Sequence, residues 1–324
     1  MILSGKLPKP LTTRLASGLD SVLDRTVVPG FSLIGPAIRS RLPSWPADPA
    51  PGALAGRHVL VTGATSGIGT ANAEQLAALG ATVHLVVRDV DKGAQIAALI
   101  DGETRVWRCD IGDLDSVRDF AQALRDSDIA PFGVIHNAGV LPARRTESAQ
   151  GHELTMAVHV LGPILMTDLL YEHLAPDARI VFVTSGGMYT QRLPVADPDY
   201  QVGEYAGATA YARSKRTQVD LLGHLARRWP RAGVYAMHPG WVATPGVSES
   251  LPAFEKVMGP ILRDADGGAD TTTWLIGTAP APATGGLWHD RRARPTVVVP
   301  RTRSSAADKE RMWGWVAAAT GLGS

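Results

Sequence analysis

The chain has 324 residues, 45% of them hydrophobic, and a formal net charge of +1, enough apolar material to bury one large core or two small ones. The near balance of basic and acidic groups argues against a nucleic-acid partner, which usually meets a strong basic excess. A single cysteine, Cys109, excludes an intramolecular disulfide and suits a reducing compartment.

Residues 1–55 read as an N-terminal arm. Leu11, Leu15, Leu19, Val22 and Leu23 recur at helical spacing, followed by Phe31, Leu33, Ile34, Ile38 and Leu42 with Arg39 and Arg41 among them. A proline-rich stretch, residues 43–51, closes the arm as a stiff link. Three readings stay open: an arm packed on the domain, an interfacial helix giving peripheral membrane contact, and disorder. The arm would also promote or block a homo-oligomer. No uninterrupted apolar run approaches the roughly 18 residues of a membrane span, and the N-terminus lacks the apolar region of a secretory signal. A cytoplasmic location is therefore expected, with membrane association through the arm as the exception.

From His58 onward strands and helices alternate. Strands are expected at 59–61, 83–87, 106–109, 134–135, 180–184 and 234–237, and helices at 68–79, 114–124, 154–174 and 211–229. That alternation predicts an α/β fold, with a parallel sheet covered by helices on both faces. The domain is taken as residues 56–324.

The run Thr62-Gly63-Ala64-Thr65-Ser66-Gly67-Ile68-Gly69 follows a strand and opens a helix, the setting a dinucleotide-binding turn requires. Gly63 permits a tight turn, Gly67 lets the backbone approach a pyrophosphate, and Gly69 permits close helix–strand packing. The helix N-terminus then holds the phosphates. The second strand ends Val86-Val87-Arg88, without the carboxylate at 87 that would hold a ribose 2′-hydroxyl. Arg88 offers a planar fork of donors to a 2′-phosphate, so NADP is the expected cofactor. The opposing reading is a solvated Arg88 with Asp89 as ribose ligand.

Tyr211 and Lys215 stand four apart on one helical face. An ammonium one turn away favours the phenolate and lowers the pKa of a tyrosine. Such a tyrosine donates a proton to a carbonyl oxygen as hydride arrives at carbon. Ser185, ending a strand, supplies a hydroxyl to the same oxygen. No metal site is expected.

These motifs, in this order, resemble the short-chain dehydrogenase/reductase family from about Arg57 to about Val299. Asp110-Ile111, Asn137-Ala138-Gly139 and Pro239-Gly240 followed by Thr244 complete the set. The resemblance implies one doubly wound Rossmann-type domain rather than two. It implies that Asp110 and Ile111 border the adenine and that Asn137, Ala138 and Gly139 support the sheet beside the cofactor. By the same likeness Pro239, Val242 and Thr244 border the nicotinamide, and Tyr211 and Lys215 touch the cofactor as well as the substrate. Ser185 and Tyr211 lie 26 positions apart, a longer gap than is usual in the family. It is similar to the retinol-dehydrogenase-like and member-twelve-like branches. Ser-Gly-Gly-Met at 185–188, His-Pro-Gly-Trp at 238–241 and Thr-Pro-Gly at 244–246 resemble the latter most.

One position departs from the pattern. The family usually carries an asparagine where this chain has His159, and that residue's carbonyl helps hold a water on the active lysine. A tolerated substitution, a modified proton relay, since histidine titrates near neutrality, and lost catalysis are the three readings. Beyond Thr244, the residues Leu251, Phe254, Val257, Met258, Ile261 and Leu262 form a helical apolar stripe. Family members often place a lid here, which suggests a small apolar carbonyl or alcohol substrate. Two function classes follow: an NADP-dependent carbonyl reductase or alcohol dehydrogenase, and an NADP-binding sensor or scaffold without turnover.

Overall fold

Val59, Leu60 and Val61 are wholly buried, and every residue of the next two central strands is buried. Burial on both faces is what a parallel strand under two helical layers requires. A computed structural model describes residues 27–243, 256 and 258–323. The stripe Leu11–Leu23, Thr244, and 251–255 and 257 of the apolar stripe lie outside the described residues.

The sheet has eight strands in the order β3-β2-β1-β4-β5-β6-β7-β8. They are β1 (His58–Thr62), β2 (Thr82–Val87), β3 (Thr104–Arg108), β4 (Pro131–His136), β5 (Arg179–Val183), β6 (Gly233–Met237), β7 (Gly286–His289) and β8 (Arg292–Arg294). All neighbours are parallel except β7 and β8, which form an antiparallel hairpin. The order reverses between β1 and β4, which opens a crevice at their carboxyl ends, where such sheets bind ligands.

Two short helices, α1 (Val27–Phe31) and α2 (Ile34–Arg39), precede the sheet. Helices α3 (Gly67–Ala78), α4 (Val90–Ala97) and α8 (Ala265–Gly277) cover one face, over a core that includes Leu76, Leu85, Ile135 and Trp274. Helices α5 (Leu114–Arg125), α6, α7 (Gly207–Arg228) and α9 (Ala306–Thr320) cover the other, over Phe120, Leu165, Trp229 and Trp313. Helix α6 runs Leu154–Met156, opens into a π turn over Ala157–Leu161, and continues as Gly162–Leu170. The stretch Leu154–His173 has the length and hydropathy to cross a membrane, but 78% of its most apolar window is buried in the fold, as in a core helix.

The described part of the arm lies against the β7–β8 end of the sheet. The turn between those strands is Asp290-Arg291, both at positive φ and both buried. Arg291 donates to the Pro46 carbonyl at 3.3 Å and pairs with Asp48 and Asp270. Trp274 Nε1 donates to the Ala47 carbonyl at 3.1 Å, and the Leu54 amide to the Leu79 carbonyl at 3.0 Å. The proline-rich stretch is thus laid along α8.

Candidate active site

The turn between β1 and α3 is shaped by two glycines and an asparagine. Gly63 sits at φ +67°, and a Cβ there would lie 2.8 Å from the Ala138 Cα. A Cβ on Gly69 would meet the Gly63 carbonyl at 2.2 Å and Asn137 Nδ2 at 2.6 Å. Only glycine fits that approach. Asn137 Nδ2 donates to the carbonyls of Thr62 and Gly63, and the amides of Asn137 and Ala138 donate to Thr62 Oγ1, each at 3.0 Å. The crevice is therefore stapled shut at its floor. Above it, Ser66 ends in extended backbone and its side chain caps nothing, leaving the first amides of α3 open to an anion. Thr65, Gly67 and Ile68 line the same mouth, half-buried. These features fit a dinucleotide pyrophosphate.

At the adenosine end, Asp89 caps α4, accepting the Lys92 amide at 3.0 Å. One of its carboxylate oxygens is thereby engaged at the start of the helix. Arg88 is exposed and shares a 330 Å³ cleft with Arg108, at the end of β3, with Ser116, and with the carboxylates of Asp110, Asp113, Asp115 and Asp119. Arg108 escaped the sequence reading; its signal was a basic residue at the end of the strand beside β2. Asp110 shapes its own loop by accepting the Gly112 amide at 2.9 Å. Ile111 touches α6 closely, since a Cβ on Gly162 would meet its carbonyl at 2.0 Å. Gly139 lies over His159 Nε2.

At the reacting end, Ser185 lies two residues beyond β5 and opens a 3-10 turn, Gly186–Thr190. Its Oγ accepts the Gly187 amide at 3.3 Å and faces the Tyr211 phenol, whose pKa it lowers. Tyr211 stands in the second turn of α7, with Lys215 one turn on and its Nζ 5.5 Å from the Tyr211 ring centroid. Lys215 is buried, and Nζ donates to the Val183 carbonyl at 2.8 Å. Burial draws the Lys215 ammonium down to about 7. The depression of Tyr211 expected from Lys215 does not dominate. Burial pushes that phenol above its ordinary value, and Ser185 pulls it partly back.

His159 lies at the centre of the π turn, and both ring nitrogens are engaged. Nε2 accepts the Val140 amide at 3.0 Å, and Nδ1 lies 2.7 Å from Ser214 Oγ, which donates to the Tyr211 carbonyl. Nδ1 therefore carries the proton. Burial first, and Lys215 second, hold His159 well below its ordinary range, so it is neutral. Its carbonyl accepts from Gln218 Nε2 at 2.7 Å, a partner the sequence reading missed. Its ring meets Tyr211 edge-on at 5.2 Å.

Pro239 and Val242 follow β6. Val242 is buried and bridges to Arg263, and a Cβ on Gly268 would meet both Val242 and Ile68. The loop after β6 is thus joined to the mouth of α3.

A dinucleotide crevice at a sheet's switch point, beside a serine, a tyrosine and a lysine, defines a nucleotide-dependent oxidoreductase site. The family model for short chain dehydrogenases matches residues 57–253. Dehydrogenase/reductase SDR family member 12 of Bos taurus is 37% identical over 267 residues, which cover 79% of this chain and 84% of that protein. Retinol dehydrogenase 12 of Homo sapiens is 33% identical, covering 80% and 85%. A Shigella flexneri short chain dehydrogenase crystallised with NADP superposes with a TM-score of 0.61 at 25% identity, covering 75% of this chain and 100% of that one. This chain belongs to the short-chain dehydrogenase/reductase family of oxidoreductases.

Proposed function

We propose that this protein is an NADP-dependent oxidoreductase that interconverts an apolar alcohol and its carbonyl. The observation that carries the reading is the convergence of Ser185, Tyr211 and a buried Lys215 whose Nζ lies 5.5 Å from the Tyr211 ring centroid. NADPH supplies the hydride when bound. Ser185 Oγ and Tyr211 Oη together hold the substrate oxygen. Tyr211 gives that oxygen a proton in reduction and removes one in oxidation. Lys215, drawn down to about 7, exchanges protons near neutrality and resupplies the phenol. The phosphate-end donors are Arg88 and Arg108, whose guanidinium forks suit a 2′-phosphate. His159 acts as a positioning residue and not a proton relay, since its single ring proton is committed to Ser214. The apolar substrate rests on the stripe from Leu251 to Leu262 and on the likeness to a protein named for retinol.

The test is NADPH oxidation with a panel of apolar aldehydes and ketones, wild type against Tyr211→Phe. The variant is expected to lose about 10²–10⁴-fold in turnover while still binding NADPH. A variant within about tenfold of wild type would remove the general-acid role. Wild type that binds NADPH and turns over none of the panel would favour the sensor or scaffold reading.

A further inference from the structure

The arm reaches the proposed catalytic centre through the turn that closes α1, Gly30-Phe31-Ser32. A Cβ on Gly186, the residue after Ser185, would lie 2.9 Å from Phe31 Cε2 and 2.8 Å from His238 Nε2. The Phe31 ring is therefore in van der Waals contact with the backbone that aims Ser185. It packs edge-on against His238 at 4.4 Å, Trp241 at 6.0 Å and His289 at 5.4 Å. The same turn grips the loop after β6. The Phe31 carbonyl accepts the Trp241 amide at 2.7 Å, and a Cβ on Gly240 would lie 2.7 Å from that oxygen.

Buried charges hold the turn in place. Arg263 donates to the carbonyls of Gly30, Phe31 and Ser32 at 3.1, 3.1 and 3.2 Å. Arg39 donates to the Gly30 carbonyl, and both arginines pair with Asp290 at the β7–β8 turn. All three ionic side chains are at most 3% exposed. A surface appendage has no need of a desolvated ionic cluster, which stabilises only when complete. The cluster instead fixes three carbonyls in one orientation, immediately above Gly240 and beside Gly186.

We propose that the turn Gly30–Phe31–Ser32 is a positioning element of the active centre, its ring pinning the Ser185–Gly186 backbone and its carbonyls pinning the Pro239–Val242 loop. The inference rests on the roles given above to Ser185 and Tyr211. The arm is then part of the catalytic domain, and a boundary at residue 55 cuts through the site. Phe31 touches neither cofactor nor substrate in this role; it acts through Ser185.

The experiment uses the full chain with NADPH bound and compares wild type, Phe31→Ala and Phe31→Leu, each with and without Tyr211→Phe. Two readouts separate positioning from plain stability, both taken well below the unfolding temperature. The first is the near-ultraviolet phenolate titration of Tyr211, taken as the difference each Tyr211→Phe background reveals; it needs no substrate. The groups facing that phenol are Ser185, His159 and Lys215. With Ser185 displaced, the phenol loses a donor, and its midpoint in Phe31→Ala is expected to rise by about one pH unit. The second is steady-state kinetics: kcat falls about 10–100-fold with KM and NADPH affinity within about threefold. Phe31→Leu, which keeps most of the volume, is expected to recover part of both effects, and it carries both readouts if Phe31→Ala does not fold. A folded Phe31 variant with the wild-type midpoint and kcat overturns the proposal. Tyr211→Phe that matches wild type overturns the assignment of Tyr211 instead, whatever the Phe31 variants do.

Discussion

At the β1–β4 crevice the contacts come from two short stretches, residues 62–69 and 135–138, and they tie backbone groups to just two side chains, the Thr62 hydroxyl and the Asn137 amide. At the β6–β7 end they join residues 30–39 to residues 240–290, more than two hundred positions away, through buried guanidiniums and one carboxylate. Both ends flank Ser185 and Tyr211, the pair proposed to hold the substrate oxygen. The first is a cradle of missing side chains, in which space does the work and solvent is admitted. The second is a lock of present ones, in which three desolvated charges depend on one another. A cradle is legible in a motif and weakens gradually when altered; a lock is invisible in a motif and fails as a unit.

The largest test of that contrast is Asp290→Asn. Burial alone would raise the Asp290 carboxyl, but His289, Arg263 and Arg39 hold it well below the usual carboxylate range. Neutralising it leaves two buried guanidiniums facing each other, at an expected cost of about 3–5 kcal/mol. Asparagine tolerates the positive φ of position 290, so the turn itself is not at fault. Urea denaturation measures the loss, and a midpoint within error of wild type would break the comparison.

Lys215→Met comes next, because it separates stability from activity inside the site. The lysine pKa falls from 10.5 unfolded to about 7 folded. Between those values the unfolded chain binds more protons, so Lys215 opposes folding at neutral pH and ceases to do so as pH approaches 10.5. The variant should melt higher than wild type at pH 7, with the difference shrinking toward pH 10.5 and turnover lost throughout. Thermal melts at several pH values check the sign; a variant less stable at neutral pH would refute it.

The cradle end should respond more gently. Arg88→Ala and Arg108→Ala are each expected to weaken NADPH by about tenfold, as exposed charge-assisted contacts do, while NADH affinity barely moves. Fluorescence titration of both cofactors reads the ratio, and an equal loss for NADH would assign these arginines elsewhere. The smallest effect is expected at His159. Because burial keeps it neutral, the pH profile of kcat should show no limb that disappears in His159→Asn. A limb near the ordinary histidine range, removed by that substitution, would restore the proton-relay reading.

Much of the sheet was readable because its central strands are short apolar runs between turn residues, and because Tyr211 and Lys215 fall on a helix whose spacing places them together. Other elements were not. Helix α8 reads Ala-Asp-Gly-Gly-Ala-Asp-Thr-Thr-Thr-Trp-Leu-Ile-Gly, rich in poor helix formers. It forms because it packs on α3, where the missing Cβ of Gly268 admits Val242 and Ile68. Helix α4 carries Gly93 at its centre for a similar reason, since a Cβ would lie 2.8 Å from both Val106 and Val87. The β7–β8 hairpin is four residues and three, too short for a period to show. Helix α9 was legible and overlooked: Met312, Trp313, Val316, Ala317 and Thr320 recur at helical spacing and all are buried.

By itself the sequence determined the parallel α/β layout, and it marked the glycine turn and the trio proposed here as catalytic, since each is written in local spacing: glycines where a backbone must approach, a tyrosine and lysine one turn apart. Only the tertiary structure decided the direction in which His159 and Lys215 are shifted, the meeting of Arg108 with Arg88 in one cleft, and the place of the described part of the arm. Those depend on burial and on side chains brought together from opposite ends of the chain, and the free energy of a charge is set by what surrounds it in space, which no spacing along the chain records.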